Sequence, residues 1–333
     1  MHTRSRLALA ALVAAGLAGG AITAGLAQEG GPALSPELTQ AAVGYAAWTE
    51  RAGALDGRFA DGEAVRRSLM DAAPHDEISL VEGMIAFGAL AALADPRFEE
   101  AARAAGPDFA QQLAAEPAAV LQLDGAQAAA GRVEAALARQ AQGLAGAGVA
   151  VKAAAYSIQH QAWSRARVAD PAARLAAVKA LAMAPLGASD ADPQALPAAF
   201  AADPPDAYPG AAPTGVVIDA LALAAIAAAE GPYGRSGEEV AAVTRDRRSE
   251  DCLRLARLNL YQCLAVAGPQ YEDVFCLGEH ALGETGGCLA KAAGAGGGGM
   301  GATGADAIGA LLSDPRLGTS RPAAWSPAPS TGY

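Results

Sequence analysis

Every cysteine of the 333-residue chain lies between Cys252 and Cys288, in CLRLARLNLYQCLAVAGPQYEDVFCLGEHALGETGGC. Crowding all the thiols into one stretch restricts its fold, because a disulfide needs two Cα atoms about 4.4–6.8 Å apart. The first half, SEDCLRLARLNLYQCLAVA, reads as a helix from about Ser249 to Ala267 with Ser249 as its N-cap. The eleven-residue step from Cys252 to Cys263 is about 1100° of helical rotation, some 20° past three turns. Both sulfurs therefore share a stripe with Leu255, Ala256, Asn259 and Val266. They also stand about 16 Å apart along the axis, so they cannot bond to each other within the helix.

GPQYED then breaks the chain, and a second helix is expected from Tyr271 or Glu272. So short a connection folds the two helices back antiparallel. Cys263 with Cys276, and Cys252 with Cys288, are both centred near residue 270. A nested ladder of these two pairs puts partners at matching heights, whereas 252–276 with 263–288 leaves them far out of register. One feature strains the scheme. Cys276 to Cys288 is a twelve-residue step, which turns the outer sulfur about 120° away on an unbroken α-helix. Gly286 and Gly287 are expected to end or reset the helix just before Cys288.

In general plan the hairpin resembles the twin Cys-x9-Cys helical hairpins, with ten and eleven residues between its cysteines. The resemblance covers the hairpin alone and implies no function. An even number of cysteines behind an export signal favours structural disulfides. The alternative is a metal site: Cys276 and His280 are i, i+4 on a helix and can ligate zinc together with other thiols. No C-x-x-C or C-x-x-C-H is present, so thioredoxin-like chemistry and c-type haem attachment lack their motifs.

The export signal is the N-terminus. Arg4 and Arg6 precede an uncharged stretch from Leu7 to Ala27, and Gly25 and Ala27 stand at the −3 and −1 positions of a cleavage site. This is the layout of a secretory signal peptide over residues 1–27, with a retained membrane anchor as the alternative. Loss of the two arginines takes the formal charge from −11 to −13. An acidic chain with only Lys152, Lys179 and Lys291 as lysines offers no track for phosphates, so a nucleic-acid partner is not expected.

Elsewhere the pattern is helical. Ser35-Pro36, Asp95-Pro96 and Asp170-Pro171 each pair an N-cap with proline in the first turn. Helices are expected at about 36–53, 62–73, 77–93, 96–105, 107–115, 117–122, 125–166 and 171–183. Gly143, Gly146 and Gly148 weaken the middle of the long one, where a kink or break is expected, and small residues there admit a close neighbour. Residues 185–213 hold seven prolines and read as a linker or strap. GVVIDALALAAIAAAEG, near 215–229, is too short to span a bilayer and reads as a buried core helix. The expected organisation is all-α: a helical domain over 32–184, the strap, a C-terminal bundle over 214–293 holding the stapled hairpin, and a Gly/Pro-rich tail over 294–333.

Catalytic signals are sparse. The chain past the leader has only His75, His160 and His280, and it has no G-x-S-x-G elbow. His75 reads as the lead-in to a helix and His160 as the polar edge of one. Trp48, Tyr156 and Trp163 read as core packing. GAGGGGMGATG lacks the G-K-[ST] of a phosphate loop, and no cofactor motif is present. Glu284, near a helix end and followed by Thr285, is the one candidate general acid, of the kind used by helical enzymes that cleave peptidoglycan. The expectation is a periplasmic or secreted bacterial protein without catalysis, a scaffold, adaptor or assembly factor with a protein partner in the envelope. The alternatives are a Glu284 hydrolase or lyase and a small-molecule or metal carrier.

Overall fold

Local capping chemistry sets most of the helix starts. The computed structural model describes residues 34–186, 196, 200, 212–230 and 237–295. The leader, all but the two ends of the strap and two isolated positions within it, and all but the first residues of the tail lie outside them. The architecture is all-α; among the described residues the sole β feature is an isolated bridge, Arg167 to Pro269. Helix α1 (Pro36–Gly53) begins at Ser35, whose Oγ accepts the Leu38 N–H. Asp61 caps α2 (Gly62–Ala72), and Asp76 caps α3 (Glu77–Leu93). Asp95 caps α4 (Pro96–Ala115), which bends at Gly106, a residue at φ 74° where only glycine sits without strain. The two helices expected at 96–105 and 107–115 are the arms of that bend. A 3₁₀ turn (Pro117–Gln122) leads to α5.

Helix α5 runs unbroken from Ala126 to Ile158. It stops short of the expected 166, and a separate short α6 (Ala162–Arg165) follows. The expected break at its glycines is absent, and two of them meet other backbones. A Cβ on Gly53 would lie 3.2 Å from the Gly143 carbonyl carbon, and one on Gly148 would lie 2.7 Å from the Gly283 nitrogen. Gly143 and Gly148 are contact points where other backbones cross α5, whereas Gly146 faces open space. Asp170 caps α7 (Pro171–Ala182).

Helix α8 (Gly215–Glu230) is buried from Val216 to Ala228 apart from Ile218 and Asp219. It packs on α3 and α4. Segments 32–184 and 214–293 thus share one core, which joins Phe87, Leu137, Leu221 and Leu260. No single described helix is long and apolar enough to cross a membrane. Helices α3 and α4 reach that length only as a pair bent by 99°, and α3 is buried.

After the short α9 (Gly237–Ala242), the hairpin begins with α10 (Arg247–Val266). Its N-cap is Asp246, whose Oδ1 accepts the Ser249 N–H at 2.7 Å, so the helix starts earlier than Ser249. The return arm is continuous: α11 (Gln270–Cys276), a π-helical stretch (Leu277–Glu284) and α12 (Thr285–Ala292). Disulfides join Cys252 to Cys288 and Cys263 to Cys276, each with Cα atoms 5.7 Å apart. Gly286 and Gly287 do not end the helix; both lie inside α12. The π stretch makes the correction instead. Its i→i+5 turns hold more residues than α-turns and rotate less per residue. Spread over Leu277–Glu284, this takes back most of the roughly 120° excess.

Candidate functional site

The hairpin is held rigidly against the body. Arg174 of α7 donates to the Asp273 carboxylate and to the Leu264 carbonyl, and both side chains of the ion pair are buried. Glu77, at the start of α3, accepts from Arg254 at 2.9 Å and pairs with Arg257 at 2.6 Å. Arg257 also donates to the Ala182 carbonyl at the end of α7. On the other arm, Lys152 of α5 pairs with Glu279 at 2.5 Å. Leu253, Ala256, Leu260 and Leu264 of α10 face inward and are buried. These contacts fix the opposite face of α10 toward solvent.

That outer face carries three large exposed apolar side chains. Leu255, Leu258 and Val266 are 60%, 45% and 84% exposed, and at 100° per residue they fall, with the exposed Gln262, along one stripe. Ile78 and Met183, also exposed, adjoin Glu77 and Ala182, the two residues that Arg257 binds. The exposed Arg247 and Arg248 stand at the helix start. Sequence reading grouped Leu255 and Val266 with the cysteines and missed the stripe. The available signal was Leu255 and Leu258 alternating with Arg254 and Arg257.

At the hairpin tip the stripe runs into a groove of about 440 Å³ between the end of α5 and the turn. Tyr156, Tyr271 and Phe275 line it, with Val266, Glu272 and the Cys263–Cys276 bridge. Tyr156 is not a core residue: it is 56% exposed and meets the Phe275 ring edge-on at 6.2 Å. Trp48 is buried in the core, and Trp163 is partly buried with its Nε1 donating to Gln161.

Glu284 lies between the two disulfides. Its Oε2 accepts from Asn259 Nδ2 at 2.9 Å, and its Oε1 is 3.1 Å from His280 Nδ1. Its side chain is a third exposed, and it is not among the residues lining the groove. The Thr285 hydroxyl donates to the His280 carbonyl of its own arm. The trio therefore cross-links the two arms. Cys276 is bonded to Cys263 and has no thiolate to give a metal with His280. Among the described residues no three His, Cys, Asp or Glu side chains converge on a metal position. His160 is exposed in the turn after α5, and His75 leads into α3 with its ring roughly perpendicular to that of Trp48. No protein-family model, curated protein or solved structure matches this chain.

Proposed function

We propose that this chain is an exported, non-catalytic protein of the bacterial cell envelope, a scaffold, adaptor or assembly factor that holds another protein on α10. The observation that supports this is the stripe of Leu255, Leu258 and Val266, left open on a helix that two disulfides and a buried ion pair immobilise. Large apolar side chains exposed along one face of a fixed helix offer a docking surface. A rigid helix with such a stripe accepts an amphipathic helix laid along it. Arg247 and Arg248 at its start favour acidic residues on the partner. Two disulfides with no free cysteine among the described residues fit an oxidising compartment, as does the leader-like N-terminus.

The test places a photo-crosslinking residue at 255, at 258 and, as a control on another face, at Glu100, in cells that export the protein. Positions 255 and 258 are expected to capture one and the same partner, Glu100 none, and Leu255→Asp at the neighbouring position is expected to abolish capture at 258. Equal capture at all three positions, or none, overturns the reading. Glu284→Gln is expected to leave capture unchanged. Release of peptidoglycan fragments by the wild type, lost in Glu284→Gln, would establish the hydrolase in its place.

A further inference from the structure

The groove at the hairpin tip has a different chemistry from the stripe. Three aromatic rings, Tyr156, Tyr271 and Phe275, line it together with one carboxylate, Glu272. Glu272 uses Oε2 to accept the Gly268 N–H at 2.7 Å. Other charges stand at its margins, among them Lys152, paired with Glu279 and set over the Phe275 ring, and Arg167, beside Gly268, while the Arg174–Asp273 pair is buried. Aromatic-lined grooves of this kind take proline-rich segments, which bind well because their extended helix is stiff before binding.

The chain carries such a segment itself. Residues 321–329 read RPAAWSPAP, and from Pro315 onward the sequence has two arginines and no acidic residue, in a protein of net charge −11. At three residues per turn of a polyproline helix, Pro322 and Trp325 share one edge. The connection also fits. The described chain ends just past α12, where Gly294 lies beside Glu134 of α5. The groove lies at Ala155–Gln159 of the same helix region, about 32 Å further along its axis. Some 25 residues, many of them glycine, separate Ala295 from Arg321; a glycine-rich chain of that length has an end-to-end distance of about 28 Å. Effective concentration peaks when that distance matches the span.

We infer that the segment 321–329 docks in the groove of its own chain, with Pro322 and Trp325 against Tyr156, Tyr271 and Phe275 and Arg321 toward Glu272. The inference rests on the groove and the tail; it shares Val266 with the stripe but does not involve Leu255 or Leu258.

The test uses the full, oxidised chain with p-benzoylphenylalanine in place of Trp325, irradiated at low concentration. A product of monomer mass, cross-linked to the peptides holding residues 155–159 or 266–275, is expected. Tyr156→Ala combined with Val266→Asp, at two exposed side chains, should lower its yield at least fivefold with unchanged helix content and both disulfides intact. An excess of synthetic peptide 319–331 should lower it likewise. Cross-links scattered over other faces, cross-links only between chains, no cross-link, or a yield indifferent to both interventions would each overturn the inference.

Discussion

Arg174 and Asp273 form an ion pair whose side chains are only 4% and 2% exposed. Helix α7 is thereby pinned beneath the hairpin, since Arg174 also donates to the Leu264 carbonyl of the opposite arm. Removing one partner of a buried pair costs about 3–5 kcal/mol, because a charge is left without compensation. Arg174→Ala is expected to lose that much in urea unfolding, and Arg174→Met with Asp273→Leu to recover at least half. Burial raises the Asp273 carboxyl to about 6, against the opposing pull of Arg174. Without Arg174 it rises further. A raised folded value makes the neutral acid the better folded form, so the loss in Arg174→Ala should be smaller at pH 5 than at pH 8.

Among the described residues Asp219 has no such counter-ion. Burial raises its carboxyl to about 7, and the charge of Asp246 adds to the effect. Its folded value thus exceeds its unfolded one. The stability tied to the neutral form is complete below about pH 4, is lost between about pH 4 and 7, and stays lost above. Asp219→Asn removes the ionisation. It should stabilise the protein at pH 8 by about 1–3 kcal/mol, a range that allows for partial solvent access. At pH 4 it should give no gain. Thermal or urea unfolding at the two values decides; an equal effect at both pH values would show that Asp219 does not titrate in this range.

The two bridges should differ in what they contribute. They close loops with sequence separations of 13 and 36 residues. Loop-closure entropy gives about 3 kcal/mol for Cys263–Cys276 and nearer 4 kcal/mol for Cys252–Cys288. The inner bridge shortens the loop that the outer one closes, so the two losses should not add. Serine at both members of each pair, singly and together, measured by urea unfolding, tests the order and the non-additivity. A greater loss for the inner pair would mean that native packing around Cys263 outweighs chain entropy.

Features set by neighbours in sequence were legible. Ser35, Asp95 and Asp170 act through the next few backbone N–H groups, so their helices begin where local chemistry places them. The nested register of the hairpin follows from counting residues about a turn. Choices made by tertiary contact were not legible. Asp246 and Ser249 are both good caps three residues apart, and the local pattern does not rank them. Tyr156 lies on the same helix as the buried Val151 and Ala155, but it projects beyond the core. The π stretch has no local signature. It arises where Gly278 and Gly283 cross Gly148 and Lys152 of α5, residues more than a hundred positions away.

That crossing gives the sharpest test of the fold. A Cβ on Gly148 would sit 2.7 Å from the Gly283 nitrogen and 2.9 Å from the Gly278 carbonyl oxygen, and one on Gly278 would sit 2.5 Å from the Lys152 nitrogen. All of these are backbone atoms, so relief requires one helix to move away from the other. Overpacking of this kind costs about 1–3 kcal/mol or more. Gly146, two residues from Gly148 on the same helix, is exposed, and a Cβ there meets nothing within 4 Å. At such a site alanine restrains the unfolded chain and suits the helix, a gain of about 0.4–1 kcal/mol. Gly148→Ala and Gly278→Ala should therefore destabilise the protein, while Gly146→Ala stabilises it, though Gly146 and Gly148 undergo the same change in the same helix. The midpoint of urea unfolding reads the sign directly. Three shifts of one sign would mean that helix propensity governs these positions and that the backbones do not meet as described.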